Sequence, residues 1–366
     1  MSNKSIKQAA AYLVNYFCNS LPKWEVSESV EVLPQQTYTY ELPVNFADLP
    51  AHFSCQYEQS LVIAPRRIFY LTSVFAVWQG MVFKNMRVFL PSLQTHELEE
   101  YFKGPLLLKQ WYGSKVHLKQ KNGVAIAHSQ YGPENYYHWI LDTLPRLLIL
   151  RKYHPNIELI VLDQAPEFTK VTMMAMGFNN TIPVSKKQIL KINNLVIPEL
   201  LSPSGHVNPD LVRLVRDELV QKLGNPNGIA SIIQTRRVYV SRARQRRRVA
   251  NQEELDVLLG EYGFETIYFE GLSLAKQIAL MQETSVLLSV HGANLVNLIF
   301  LPSQSRVIEL ISKNLHNPAY WRLSAVFDLP YYVLACDTTE KEDISYHSNS
   351  DIIVDVNRLK NIFKDL

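Results

Sequence analysis

The stretch Val286-Leu287-Leu288-Ser289-Val290-His291-Gly292-Ala293-Asn294, followed by Leu295-Val296-Asn297-Leu298-Ile299-Phe300, decides how this chain folds. Its first five residues are leucine-rich and β-branched, with the length of a strand buried on both faces of a parallel sheet. After a turn of small residues, apolar side chains return at helical spacing. A strand, a tight turn and a helix in that order leave bare backbone N–H groups at a helix N-terminus, outside the carboxyl end of a strand. Open α/β sheets hold nucleotide phosphates at that point. The sequence therefore predicts a nucleotide or nucleotide-sugar site around His291, Gly292 and Ala293. Asn294 and Asn297 either face the ligand or satisfy loop backbone.

Outward from this stretch, strands and helices alternate. Before it come a helix at residues 211–223, a strand at 237–241, a helix at 251–262, a strand at 265–269 and a helix at 273–282. After it come a strand at 306–311, a helix at 318–327 and a strand at 331–334. Asn251 with Glu254 three residues on reads as a capping box. This alternation predicts a parallel sheet covered on both faces. A second series lies upstream, with strands at 124–127, 157–162 and 189–197 and helices at 134–153 and 168–176. Pro198, Pro203, Gly205 and Pro209 give the segment between the two series a linker composition. The expected organisation is an N-terminal domain over residues 1–204, its first 110 or so residues irregular and β-rich, a Rossmann-like domain over 205–345, and a C-terminal tail and helix over 346–366. Residues 68–83 are apolar but too short and too polar for a membrane span, and are expected to form a buried strand or helix.

Composition narrows the class. A chain of 366 residues with 47% hydrophobic content buries two cores, and a net charge of +3 gives no general affinity for polyanions. Cys18, Cys55 and Cys336 are too few and too scattered for a disulfide framework or a zinc site. The polar N-terminus has no signal-peptide core. A cytoplasmic protein is expected, with peripheral membrane attachment left open; oligomeric state is not readable.

Two constellations carry chemistry. Seven arginines lie at positions 236, 237, 242, 244, 246, 247 and 248, where a strand turns into a helix. Guanidinium groups match phosphate geometry bidentately and keep their charge at any working pH. Arg242, Arg247 and Arg248 are expected on a diphosphate and the others on the surface. The second constellation is Tyr137-His138-Trp139-Ile140-Leu141-Asp142-Thr143-Leu144-Pro145-Arg146. His138, Asp142 and Arg146 recur every four residues and share one helix face. A histidine one turn from a carboxylate makes a general base, with either group as the proton acceptor. Pro145 should kink this helix. Arg146 is expected to position substrate. Glu309, read as the end of the strand that starts at Arg306, either holds ribose hydroxyls or caps a helix. Tyr320-Trp321 reads as core.

The absences are informative. There is no G-x-G-x-x-G, no G-x-x-x-x-G-K-[ST] and no D-x-D, which removes the signatures of a dinucleotide dehydrogenase, a P-loop NTPase and a metal-anchored nucleotide-sugar site.

Three blocks in order resemble glycosyltransferase family 61: Tyr137-His138-Trp139 through Asp142 to Leu144-Pro145-Arg146-Leu147; Tyr239-Val240-Ser241-Arg242 with Arg247-Arg248-Val249, Asn251 and Glu254; and His291-Gly292-Ala293 with Leu295, Asn297, Phe300, Pro302 and Val307-Ile308-Glu309-Leu310. The blocks lie between about residues 123 and 335. Gln252 stands where the family usually has Glu, and Asn294 where it commonly has a small residue. The resemblance implies a GT-B-type α/β fold of two facing Rossmann-like domains. It also implies inverting, metal-independent transfer of a hexosyl or pentosyl group from a nucleoside diphosphate sugar, UDP-linked, to a glycan or other hydroxyl acceptor. No cofactor is expected, and Arg242, Arg247, Arg248, Asn251, His291, Gly292, Ala293, Asn294, Asn297 and Glu309 would hold the donor. The rival readings are a catalytically silent nucleotide-sugar binder and a basic nucleic-acid-binding module.

Overall fold

In the computed structural model, which describes residues 24, 28–85, 87–94, 114–224, 235–341, 343–345 and 349–366, the apolar stretch at 68–83 is a strand and the start of its hairpin partner. The N-terminal segment with Cys18 lies outside the described residues. Two units emerge. Unit 1 holds the described residues of 1–36 and 63–204, and unit 2 those of 37–62 and 205–366. Residues 37–62 and the C-terminal tail fall within unit 2. No helix among the described residues is long and apolar enough to cross a membrane.

The first eleven strands are β1 (Ser29–Leu33), β2 (Gln36–Thr39), β3 (Ser60–Ile63), β4 (Arg66–Val77), β5 (Val82–Lys84), β6 (Arg87–Val88), β7 (Lys115–Leu118), β8 (Val124–Ala125), β9 (Glu158–Leu162), β10 (Thr181–Val184) and β11 (Ile189–Pro198). β2 and β3 pair only with each other, and the rest form one sheet in the order β10-β9-β8-β11-β4-β5-β6, with β1 also on β4 and β7 also on β11. Pairing is parallel from β10 to β11 and antiparallel from β11 through β4 to β6. The sheet of unit 1 is therefore mixed, not the purely parallel one expected. The difference has a local cause. Gly80 at φ 82° turns the chain back after β4, and a side chain there would run into the His128 carbonyl. The resulting hairpin supplies antiparallel strands to the sheet edge.

His128 is buried beneath this turn, its Nε2 on the Trp78 carbonyl at 2.7 Å, and burial pushes its pKa down to about 4 from 6.5. The unfolded chain takes up this proton near pH 6.5 while the fold resists it until about pH 4. The contribution is therefore complete above pH 6.5, is lost as pH falls from 6.5 to 4, and changes no further below. On going from pH 7 to pH 4, the wild type is expected to lose about 3 kcal/mol more than the His128→Gln variant. Denaturant midpoints at the two pH values check this.

Unit 2 adds β12 (Arg236–Val240), β13 (Phe264–Ile267), β14 (Thr284–Val290), β15 (Arg306–Ser312), β16 (Tyr331–Thr338) and β17 (Ile352–Ile353). Their order is β13-β12-β14-β15-β16-β17, parallel throughout except for β17 at the edge. Even-numbered positions of β14, β15 and β16 (Leu288, Val290, Ile308, Leu310, Tyr332, Leu334) share a core with the helices Gln252–Glu261 and Val356–Lys364. Odd-numbered positions, including Glu309 and Tyr331, lie on the opposite face by strand alternation. The helices Pro209–Leu223, Leu274–Gln282 and Ala319–Val326 pack with the 3-10 helix Ala293–Phe300 as a second group.

Asn251 departs from its expected role. It stands before the helix at 252 without making a side-chain cap bond. Its amide instead clamps the Val354 peptide in both directions, at 2.8 and 2.9 Å, and reaches Glu254 at 3.0 Å. The side chain is spent on holding the C-terminal tail to unit 2.

Candidate functional site

The sheet order dictates where a ligand fits in unit 2. The second strand in chain order, β13, lies outside the first, β12, while the third, β14, lies on β12's other side. The order therefore reverses between β12 and β14, and in open α/β sheets ligands bind outside the carboxyl ends of the strands at such a switch point. The chain leaves β12 at Ser241-Arg242 and leaves β14 at His291-Gly292. Ser289 ties the two strands together at that end, its hydroxyl donating to the Val240 carbonyl at 2.9 Å.

The arginine block and the His291 block meet there. Arg247 Nη1 donates to the His291 carbonyl at 3.2 Å. Arg242 lies against Gly292 so closely that a methyl group at that glycine would overlap its guanidinium. Burial and the neighbouring Arg247 charge pull the Arg242 pKa down, opposed by Tyr320 and Glu270. Two like charges are thus held in proximity, an arrangement suited to a multiply charged anion. Arg247 has φ 61°, in the left-handed region that a non-glycine residue enters at a cost of about 1–2 kcal/mol.

Other predicted positions fall elsewhere. Arg248 is bound by Asp351, its side chain 59% exposed and its Nη2 3.0 Å from the carboxylate. Arg236 bridges Glu265 and Glu283, and Arg237 donates to the Tyr262 carbonyl. Arg244 stacks on Tyr268 at 4.3 Å. Asn297 is buried and donates to Gln277 at 3.0 Å, while Ala293 and Asn294 are half-buried beside Gly292.

Glu309 also differs from both of its expected roles. Its strand runs on to Ser312, so Glu309 is interior and fully buried. One carboxylate oxygen meets His291 Nδ1 at 2.5 Å, and the other accepts from the Tyr331 hydroxyl. Tyr57, in the segment 37–62, hydrogen-bonds to Tyr331, and burial raises both phenols well above their ordinary pKa. The chain Tyr57–Tyr331–Glu309–His291 fixes the imidazole and leaves Nε2 as its remaining polar atom. Tyr320 packs edge-on against the ring at 5.1 Å, and Trp321 is core, donating to the Glu41 carbonyl. Glu309→Ala strands a histidine N–H and a phenol in the core, each costing about 1–3 kcal/mol. A loss of about 2–6 kcal/mol is expected in denaturant unfolding.

Unit 1 carries the histidine-carboxylate pair. Asn135 opens the helix at 136, its side chain accepting from the Tyr137 and His138 amides. Residues Trp139–Thr143 then form a π-helical turn before the α-helix Leu144–Tyr153. Pro145 lacks the N–H that an uninterrupted α-helix would use, and it sits where the hydrogen-bond register changes. His138 Nδ1 meets Asp142 Oδ2 at 2.7 Å, and the same oxygen accepts from Gln94 Nε2 at 2.8 Å. Gln94 is itself held by Gln130, which bonds its backbone amide at 2.7 Å. Arg146 does not join the pair. It is buried, its guanidinium gripping the Pro198 carbonyl, and burial pushes its pKa down to about 10. The inserted π residue breaks the simple four-residue spacing that put Arg146 on the same face.

Gln94, Tyr57, Tyr331 and Glu270 were not marked by any sequence motif. Glu270 alone had a usable signal, as the first acidic residue after β13.

Among the described residues, no group of three or more His, Cys, Asp or Glu side chains is arranged to hold a metal ion. Unit 2, with its reversing parallel sheet, belongs to the doubly wound α/β class. Residues 136–308 match the glycosyltransferase 61 family model. It is similar to beta-1,2-xylosyltransferase XAX1 of Oryza sativa subsp. japonica, 33% identical over 113 residues, covering 30% of this chain and 20% of that protein. It is also similar to the EGF domain-specific O-linked N-acetylglucosamine transferase of Drosophila melanogaster, 35% identical over 75 residues, covering 20% of this chain and 14% of that protein. The matched region thus spans a fifth or less of these relatives' own lengths.

Proposed function

We propose that the chain is an inverting, metal-independent glycosyltransferase of GT-B type, taking a hexosyl or pentosyl group from a nucleoside diphosphate sugar to a hydroxyl of a glycan acceptor. The observation that carries this reading is the meeting of Arg242, Arg247 and the His291-Gly292 turn at the strand-order reversal of unit 2. The acceptor hydroxyl attacks the anomeric carbon while the bond to the diphosphate oxygen breaks, through an oxocarbenium-like transition state. The diphosphate leaves with the electron pair, stabilised by Arg242 and Arg247. The acceptor proton passes to His138 Nε2. Asp142, receiving bonds from both Gln94 and His138 Nδ1, orients the imidazole rather than taking the proton. Both relatives are named as transferases, one of xylose and one of N-acetylglucosamine, which supports a sugar donor and leaves its sugar open.

The test is thermal unfolding with uridine, guanosine, adenosine and cytidine diphosphates in a metal chelator, followed by transfer assays with the sugar derivatives of whichever binds. One diphosphate is expected to raise the midpoint, and the product linkage to have inverted configuration by NMR. Stabilisation with neither transfer nor donor hydrolysis would reduce the chain to a donor binder. Absence of any binding would overturn the reading.

A further inference from the structure

We infer that Glu270 is the carboxylate that receives the ribose hydroxyls of a nucleoside diphosphate bound at the switch point of unit 2; this rests on the donor reading proposed above. Where a doubly wound sheet binds a nucleotide, the phosphates sit at the turn after the first strand, and an acidic residue at the end of the neighbouring second strand takes the ribose diol. Here β12 is the first strand and β13, paired with it in parallel, the second. Glu270 follows β13 by three residues, at the same carboxyl end of the sheet as Arg242 and His291.

The local structure holds that carboxylate in place. Phe269–Leu272 is a β-turn closed by Leu272 N on the Phe269 carbonyl at 3.0 Å. Gly271 takes φ 92° at its third position, as a type II turn requires, which leaves Glu270 at the second. Gln277 bonds the Phe269 and Leu272 carbonyls with one amide nitrogen and accepts from Asn297 with its oxygen. The turn carrying Glu270 is thereby clamped to the 3-10 helix that begins after Gly292. This also gives Asn297 its role, which is to set the distance between two parts of the site.

The carboxylate itself is incompletely used. Glu270 Oε2 is buried with no hydrogen-bond partner among the described residues. A buried carboxylate oxygen left unbonded is costly, and a ligand hydroxyl supplies the missing donor. Glu270 also lies near enough to Arg242 for its charge to oppose the lowering of that guanidinium's pKa. Carboxylate and guanidinium are thus neighbours, as ribose and diphosphate are in the ligand. Glu309, buried under His291 with both oxygens engaged, is unsuited to this role.

A carboxylate that serves only as a counter-ion to Arg242 makes a different prediction, and the experiment separates the two. The full chain and its Glu270→Ala and Glu270→Gln variants are titrated with the best-binding nucleoside diphosphate, its 2′-deoxy and 3′-deoxy forms, and inorganic pyrophosphate. Unfolding midpoints without ligand identify any variant that fails to fold. The wild type is expected to prefer the ribonucleotide over at least one deoxy form by about 10- to 100-fold, the size of a hydrogen bond to a charged group. Glu270→Ala should bring this ratio to near unity while pyrophosphate affinity holds or rises, and Glu270→Gln, which keeps the side chain's size, should show the same collapse in weaker form. An unchanged ribo/deoxy ratio in both variants, with the wild type still binding the nucleotide, overturns the assignment of Glu270 alone. No nucleotide binding by the wild type overturns the donor reading and this inference with it.

Discussion

Replacing Arg242 and Arg247 together by alanine is expected to lower kcat/KM for the donor by about 10³- to 10⁵-fold. Each charged contact to a departing diphosphate is worth about 2–4 kcal/mol in the transition state. The two guanidinium groups are neighbours, and the Arg247 charge lowers the Arg242 pKa, so their effects should add incompletely. Gly292→Ala offers an independent route to the same loss, because the added methyl displaces the Arg242 guanidinium without removing its charge. Arg248→Ala is the control: its side chain is exposed and bound by Asp351, and a change of less than about threefold is expected. Stability should not follow activity. Bringing two like charges together and burying one of them opposes folding, so Arg242→Ala should unfold no more easily than the wild type. Steady-state kinetics and nucleotide affinity check the first set of expectations, and thermal unfolding checks the last. A double variant with unchanged turnover, or an Arg248→Ala loss equal to that of Arg242→Ala, would contradict the proposed diphosphate site.

Which parts of this site were legible in sequence follows from the range of the forces involved. β14 to β16 are buried on both sides and so read as apolar runs, with helices between them at ordinary spacing. The arginine block and the His291 block each lie within a few residues of a strand end, so the sheet order brings them together. What failed was whatever depended on distant partners. Glu309 looks in isolation like the end of a strand and is in fact the acceptor for Tyr331, 22 residues on, and for His291, 18 residues back. Asn251 has the residue type and spacing of a cap, yet it binds a peptide 103 residues away. Arg146 matches a helical stripe until the π turn shifts its face. The mixed sheet of unit 1 went unread because β4 is one long strand whose polar interruptions, among them Thr72 and Ser73, disturb the apolar pattern.

His138→Ala is expected to lower kcat by about 10²- to 10⁴-fold, the usual contribution of a positioned general base, and to leave donor KM nearly unchanged. Asp142 Oδ2 already accepts from two donors, Gln94 Nε2 and His138 Nδ1. A carboxylate oxygen so engaged is placed as an anchor for the imidazole. With Nδ1 donating to it, Nε2 carries the lone pair that can take a hydroxyl proton. Asp142→Asn should therefore also be severely impaired, because an amide can donate to Nδ1 and so favour the tautomer whose Nε2 is protonated. Gln94→Ala removes only one of the anchor's two bonds and should cost less than either. If Asp142 were itself the base, the order would invert: Asp142→Asn would be inactive while His138→Ala kept more than about a tenth of wild-type kcat. Comparing kcat and donor KM for the three variants distinguishes these cases.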